Sequence, residues 1–379
     1  MTLDRAWLDR IDAILAEAVA LRVTPGAVLL VGDGDAILAE HHVGTLGSVP
    51  NQPVDSSTLY DLSSLTKPLA TVSALLLLAA AGRLSFEDPV TRWVPEFAAD
   101  PAGHPASDRA DIRLQDLLAH RSGLPAHRRF FAEISPELVG RQPEGAAQIL
   151  EMAAREPLEC APRTRAIYSD LGFLLLGCVV ERASGLALDH YCARELFVPL
   201  GLDAIGFIRH ADRTGQAREL PLSRIAPCGR CSWRSMDIHG VVQDENAYVM
   251  GGVAGHAGLF STARSVHRLV AELVRALRGL PSLFERDLVR LVWTKDTTTP
   301  GSSWALGWDT PAVQGSSAGS RISAWAVGHL GFTGTSVWLD LDRGVHVVFL
   351  TNRIHEGGDN RSVRELRPRV HDAVFAGLG

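Results

Sequence analysis

Apolar residues recur at helical spacing through the opening MTLDRAWLDRIDAILAEAVA, with acids and arginines between them, which predicts an amphipathic helix. The pattern then turns extended. Gly26 to Val31 and Ala36 to Ala39 flank Gly32-Asp33-Gly34-Asp35, a β-hairpin signal whose turn residues tolerate positive φ. A polar stretch runs to Thr58. Leu59 to Leu62 then leads through Ser63 and Ser64 into a long apolar helix that ends near Ala81, with Gly82 as its stop.

From about residue 83 to 255 the chain reads as helical segments between Pro- and Gly-rich loops. The clearest helix spans Leu171 to about Ala183 and is closed by Ser184-Gly185; another covers Val266 to Leu277. The period changes again in the last third. Val327 to Leu339 and Val345 to Thr351 read as strands joined by a turn over Asp340 to Gly344, before a final amphipathic helix from about Val363 to Phe375. Strands at both ends and helices between them predict an α+β fold. Its antiparallel sheet is flanked by the N- and C-terminal helices, with a mainly helical part inserted. The expected division is residues 1–62 plus 260–379 as a discontinuous α/β domain and 63–259 as the helical domain, with the site at the junction.

Composition narrows the function. The 379 residues are 46% hydrophobic and 21% charged, the balance of an ordinary globular chain. A net charge of −6 provides no basic footprint for nucleic acid and no polybasic face for a membrane. The N-terminus lacks the basic start and unbroken apolar run of a signal peptide, and Ala74 to Ala81 is too short to span a bilayer. The expectation is a cytoplasmic protein as the chain stands, and a periplasmic or secreted one if a leader was removed. Five scattered cysteines argue against a disulfide framework. Cys228-Gly229-Arg230-Cys231 has no second pair to complete a zinc site, so two incidental loop thiols are expected.

Ser64-Leu65-Thr66-Lys67 is the first candidate for chemistry. Positions i and i+3 share one helix face, so the lysine amine can reach the serine hydroxyl. A hydroxyl is a weak nucleophile until a base takes its proton, and lysine serves as a base only when burial or nearby positive charge lowers its pKa. Alone this pattern is also that of an ordinary capped helix start. Two further elements strengthen it: Tyr168-Ser169-Asp170 directly before the helix at Leu171, and His329-Leu330-Gly331 followed by Phe332-Thr333-Gly334 on an expected strand.

That order resembles the three-element pattern of penicillin-recognising serine enzymes. It is most similar to the class C β-lactamase family, which includes D-aminopeptidases, D-Ala-D-Ala carboxypeptidases, esterases and muropeptide amidases. Leu117 to Pro125, Gly252 to Ala263, Arg83 to Val90 and Val348 to Arg353 share the resemblance, which covers nearly the whole chain. It implies a β-lactamase/transpeptidase-like fold and no cofactor or metal. By resemblance Ser64 attacks the carbonyl, Lys67 and Tyr168 handle protons, and the backbone N–H groups of Ser64 and Phe332 form the oxyanion hole. Asp170, His329, Leu330, Gly331 and Arg353 fall at substrate-binding positions.

Three departures bear on specificity. His329 and Leu330 replace the lysine and threonine that hold a substrate carboxylate in the family, which weakens the case for β-lactams. Asp170 replaces an asparagine and brings a negative charge to Lys67, available to a substrate amine or to His329 as well. Arg353 is a candidate for the missing carboxylate contact. The expected substrate is a small molecule or peptide: a D-amino-acid peptide, cell-wall fragment or small ester cleaved through an acyl-enzyme. True β-lactam hydrolysis and a non-catalytic penicillin-binding sensor are the alternatives.

Other patterns carry less. Gly315-Ser316-Ser317-Ala318-Gly319 fits a nucleophile elbow but lacks the strand before it and the helix after it, so a Gly/Ser loop is expected. His239, Asp244, Glu245 and His256 match no metal spacing. Gln243 to Ala247 is either a cleft wall or a hydrogen-bonded loop, and His120 and Ser122 are expected to shape a loop.

Overall fold

The computed structural model describes residues 5–47, 52–100, 103, 106–139, 143–210, 220–357 and 362–378. Helix α1 (Arg5–Ala20) leads into the hairpin β1 (Gly26–Asp33) and β2 (Ala36–Gly44). The run after Ser63 ends in α2 (Ser73–Ala80), and the middle segment supplies α3 (Asp170–Ser184) and α4 (Ala263–Leu277). The last third adds β3 (Ala326–Leu330), β4 (Ser336–Asp340), β5 (Val345–Thr351) and α5 (Val363–Ala376).

The five strands form one antiparallel sheet in the order β2-β1-β5-β4-β3. β1 pairs with β5 from Ala27↔Thr351 to Asp33↔Val345, so the two ends of the chain meet in the middle of the sheet. Both faces are covered. Ala27, Leu29 and Val31, with Val345, Val347 and Phe349, point to one core with Trp7, Ile11 and Leu15 of α1 and Val370 and Val374 of α5. The alternate residues Val28, Leu30, Val348 and Leu350 point to a second core that includes Val266, Leu269 and Leu273 of α4. This two-sided burial explains why β1 and β5 read as unbroken apolar runs rather than alternating ones. Each fully buried Leu, Val or Phe contributes about 2 kcal/mol.

Several expected elements need correction. Val327 to Leu339 is two strands, because Gly331 to Thr335 turns: Gly334 has φ +107 and the Gly331 N–H donates to the Thr335 carbonyl at 2.7 Å. The middle segment also holds strands, with Tyr60–Asp61 and Ile205–Phe207 pairing on either side of Leu259–Ser261. Cys228 lies in a loop as expected, whereas Cys231 belongs to a strand. They are free and buried at a short hairpin, Gly229–Cys231 against Met236–Ile238, and pack with Ile238. The 18-residue helical run Ser63–Ala80 is apolar and long enough to cross a membrane by length and composition, which the shorter window Ala74 to Ala81 missed; 78% of it is buried inside the protein.

Candidate active site

Ser64 stands at the entry of that buried run. Ser63–Leu65 is a single 3-10 turn, Lys67–Val72 is a wide π turn, and regular α-helix begins only at Ser73. Pro68 has no N–H to donate, and π turns of this kind break the regular ladder. Neither Ser63 nor Ser64 caps the helix with its side chain, contrary to an ordinary capped start. Ser63 instead adopts φ +49, a strained setting for a residue with a Cβ, and its N–H donates to Asp61 Oδ1 at 2.8 Å.

Lys67 is wholly buried, yet its ammonium is fully engaged. Nζ donates to Ser64 Oγ at 3.0 Å, to Asp170 Oδ1 at 2.7 Å and to the His256 carbonyl at 3.3 Å. Burial works to lower its pKa, but the charge of Asp170 and the phenol of Tyr168 outweigh it, so Lys67 is held above the usual lysine range. The resting lysine is therefore a cation, not the free amine.

Tyr168 and Asp170 come from the start of α3. Ser169 is its N-cap, with Oγ accepting from the Gly172 N–H at 3.2 Å, and Gly185 ends it in the left-handed conformation at φ +75. This cap places Tyr168 before the helix, with Lys67 Nζ 4.8 Å from the centre of its ring. Burial raises the Tyr168 pKa, and its contacts with Lys67 and Ser64 offset this only in part. Asp170 also meets His127 at 3.4 Å. Burial disfavours its anion, but Lys67, His127 and His256 hold the carboxyl well below its usual range. His256 is paired through Nε2 with Asp244 Oδ1 at 2.9 Å, and Asp244 caps the helix Glu245–Val249. Gln243 to Ala247 is thus a cap and helix start beside the lysine.

The third element closes on Ser64 from β3, the edge strand of the sheet. Thr333 Oγ1 donates to the Asp61 carbonyl at 2.7 Å and Thr335 Oγ1 to the Leu62 carbonyl at 3.1 Å. Gly331 is required there, since a Cβ would lie 2.6 Å from the Leu62 carbonyl and 2.0 Å from Thr335 Oγ1. The Phe332 N–H, expected in an oxyanion hole, donates to Ser63 Oγ at 3.2 Å, so in the free protein this donor is already engaged. His329 is 2% exposed and its Nδ1 lies 2.9 Å from the Leu330 carbonyl, which makes Nδ1 the protonated nitrogen. Burial first, then the Lys67 charge, pushes its pKa down to about 3. His329 is neutral and does not pair with Asp170.

A cleft of about 660 Å³ opens over Ser64, lined by Tyr168, Trp304, His329, Leu330 and Phe332 and, farther along, by Arg353, Arg364 and Arg367. Gly315 and Ser317 of the Gly/Ser loop line it too. Arg353 Nε donates to the Phe332 carbonyl at 2.8 Å and its guanidinium lies over the Phe332 ring. Sequence reasoning missed Ser63, His127, Trp304 and Arg367. Trp304 stacks on Tyr168 at 5.2 Å from a loop with no periodicity to mark it. Arg367 had a signal: it falls on the buried stripe of α5, where a charge is costly unless employed. Its Nη2 donates to the carbonyls of Gly331 and Thr335 at 2.7 and 2.8 Å. His120 does more than shape a loop, since its ring packs 4.8 Å from Tyr168 and 4.5 Å from Trp304. Among the described residues no group of three or more His, Cys, Asp or Glu could hold a metal ion.

A sheet built from both ends of the chain, with a serine and a lysine from one segment, a tyrosine from a second and the β3 edge closing from a third, defines a hydrolase of the β-lactamase and penicillin-binding-protein type. The beta-lactamase family model matches residues 11–371, and the chain belongs to that family. It is 31% identical over 365 residues to a putative D-alanyl-D-alanine carboxypeptidase of Escherichia coli K12, covering 92% of this chain and 82% of the relative. It is also 31% identical over 374 residues to an N-acetylmuramyl-L-alanine amidase of Bacillus subtilis, covering 92% and 81%. Among solved structures, the hydrolase with promiscuous acyltransferase activity EstCE1 shares the fold, with a TM-score of 0.74 at 22% identity over 97% of this chain and 99% of that one.

Proposed function

We propose that the protein is an acyl-enzyme serine hydrolase in which Ser64 is the nucleophile. Its substrate would be an amide or ester, of the D-amino-acid peptide or cell-wall-fragment class suggested by its carboxypeptidase and amidase relatives. The observation that carries this reading is the 3.0 Å contact between Lys67 Nζ and Ser64 Oγ, with Tyr168 against both.

Attack forms a bond from Ser64 Oγ to the carbonyl carbon, and the hydroxyl proton must leave at the same time. With Lys67 an ammonium and Tyr168 a neutral phenol, the reactive form has one proton fewer: a Tyr168 phenolate beside Lys67, or a neutral Lys67. The proton taken from Ser64 is then returned to the leaving nitrogen or oxygen. Water repeats the sequence on the acyl-enzyme to release the acid. The N–H groups of Ser64 and Phe332 would stabilise the developing oxyanion once the substrate carbonyl displaces Ser63 Oγ from Phe332.

The neutral His329 argues against efficient β-lactam turnover, because the position that holds a β-lactam carboxylate in the family lacks a charge here. The test is intact-protein mass spectrometry after treatment with a fluorophosphonate. One adduct is expected on the wild type and none on Ser64→Ala; an adduct of equal yield on that variant removes the proposal.

A further inference from the structure

His127 stands on an exposed loop, yet one carboxylate connects it to the buried lysine. Its Nδ1 lies 3.4 Å from Asp170 Oδ2, while the other oxygen, Oδ1, accepts from Lys67 Nζ at 2.7 Å. Asp170 thus bridges a wholly buried ammonium and an imidazole whose side chain is 40% exposed. Backbone contacts fix the placement. The Asp170 N–H donates to the Ala126 carbonyl at 2.8 Å and Ser169 Oγ to the Pro125 carbonyl at 2.7 Å. Beyond His127, Asn246 Nδ2 donates to the Arg128 carbonyl and Asn246 Oδ1 accepts from the Phe131 N–H, both at 2.9 Å.

The charges facing this ring are acidic. The contact with Asp170 first, then Asp244 and Glu245 at the start of the helix Glu245–Val249, outweigh partial burial and raise the His127 pKa. Arg128, next in the loop, is turned to Glu156 and Glu159, and His256 is held by Asp244. His120 and His329, rings near Lys67, are kept neutral by burial and by the lysine charge. His127 exchanges its proton with solvent close to neutral pH. An imidazolium there draws on the Asp170 charge and opposes the ammonium of Lys67. A neutral ring leaves that carboxylate to Lys67 and Tyr168 alone.

We propose that His127 is a positioning residue that sets the reactivity of Ser64 through Asp170: its imidazolium eases the loss of the one proton that Lys67 and Tyr168 must give up between them, and its neutral ring hinders that loss. The inference rests on the hydrolase reading and deepens it. No bond to His127 forms, and its own proton passes to and from solvent. The rate then rises with pH in two parallel stretches. The second is set back below the extension of the first, with the step where His127 titrates.

The test is the second-order rate of Ser64 modification by a neutral phosphonate ester from about pH 5 to about pH 9, taken as a ratio of variants so that other titrations cancel. The wild type should react about fivefold faster than His127→Gln at the acid end and equally fast at the alkaline end. His127→Lys, a permanent cation, should match the wild type in acid and exceed it about fivefold in alkali. A ratio of wild type to His127→Gln that stays constant within about twofold overturns the proposal, because loss of a merely structural contact slows the reaction alike at every pH. Proton NMR titration of the His127 ring in folded, untreated protein separates this from failure of the hydrolase reading; the resonance is the one absent from His127→Gln. A midpoint above about 6.5 that falls in Asp170→Asn supports the link even if Ser64 proves unreactive. A midpoint at or below that value, or one unmoved by Asp170→Asn, overturns it even if Ser64 is labelled.

Discussion

The Phe332 N–H points at Ser63 Oγ, 3.2 Å away, rather than into an open oxyanion hole. Ser63 holds its hydroxyl there through a positive φ, a buried setting and an anchor from its own N–H to Asp61. A substrate carbonyl must exchange with this contact, and a neutral hydrogen bond of this kind is worth about 1 kcal/mol. Ser63→Ala is therefore expected to raise the acylation rate about fivefold. Stopped-flow labelling with a slow phosphonate ester measures it; a slower variant with an unchanged melting temperature would mean that Ser63 assists the chemistry instead.

Asp170 sets the charge of the lysine. Its anion raises the pKa of Lys67 and also that of Tyr168. Asp170→Asn removes that effect on both, so the form with one proton fewer becomes populated at lower pH. The rising limb of the pH–rate profile should move towards acid. The same substitution leaves a buried ammonium without its counter-charge, at a cost of about 3 kcal/mol in stability. A limb that stays in place or moves towards alkali contradicts the assignment of Lys67 and Tyr168.

His329→Lys would return a cation to β3. The new ammonium would be buried near Lys67, so a lower melting temperature is expected. Labelling by a fluorescent penicillin should nevertheless increase, by about tenfold if a single charge-assisted contact is regained. Unchanged labelling in a folded variant would show that the charge at this position is not what limits β-lactam recognition.

Several buried histidines couple stability to acid. Burial pushes His329, His346 and His371 down to about 3 and His210 to about 4, whereas an unfolded histidine titrates near 6.5. The unfolded chain thus takes up protons first as the pH falls. The stability of the neutral rings is fully present above about pH 6.5 and is lost progressively as the pH falls towards 3. Urea midpoints should fall between pH 6.5 and 4. A flat profile over that range would show that these rings are protonated as easily in the fold as outside it.

The hydrophobic pattern carried the outer frame of the fold well. Both terminal helices, the first hairpin, α3 with its Gly185 stop and β5 follow from periodicity and stop signals acting within a few residues. Gly331 to Thr335 escaped because strand-like residues on both sides conceal a turn whose cause is tertiary, the close approach of Gly331 to Leu62. The two- and three-residue strands at Tyr60, Ile205 and Leu259 are too short for any period to appear. Within the site, Ser64 and Lys67 come together as their spacing implied, and Tyr168 joins them as the family resemblance implied. The protonation states did not follow from it, since they depend on the burial of Lys67 and on which atoms meet Asp170 and His329. Trp304 and Ser63 depend wholly on packing, and no local pattern marks them.

The pairing of β1 with β5 has a consequence for biosynthesis. A ribosome delivers Ser64, Lys67, Tyr168 and Asp170 long before it delivers Phe332, Thr333 and Arg367. The interior strand β1 waits roughly three hundred residues for its partner β5. During that interval Ser64 and Lys67 lack both the Phe332 N–H and the arginine-lined cleft. The Ser64 cleft is completed only when the segment from β3 to α5 emerges and the sheet closes.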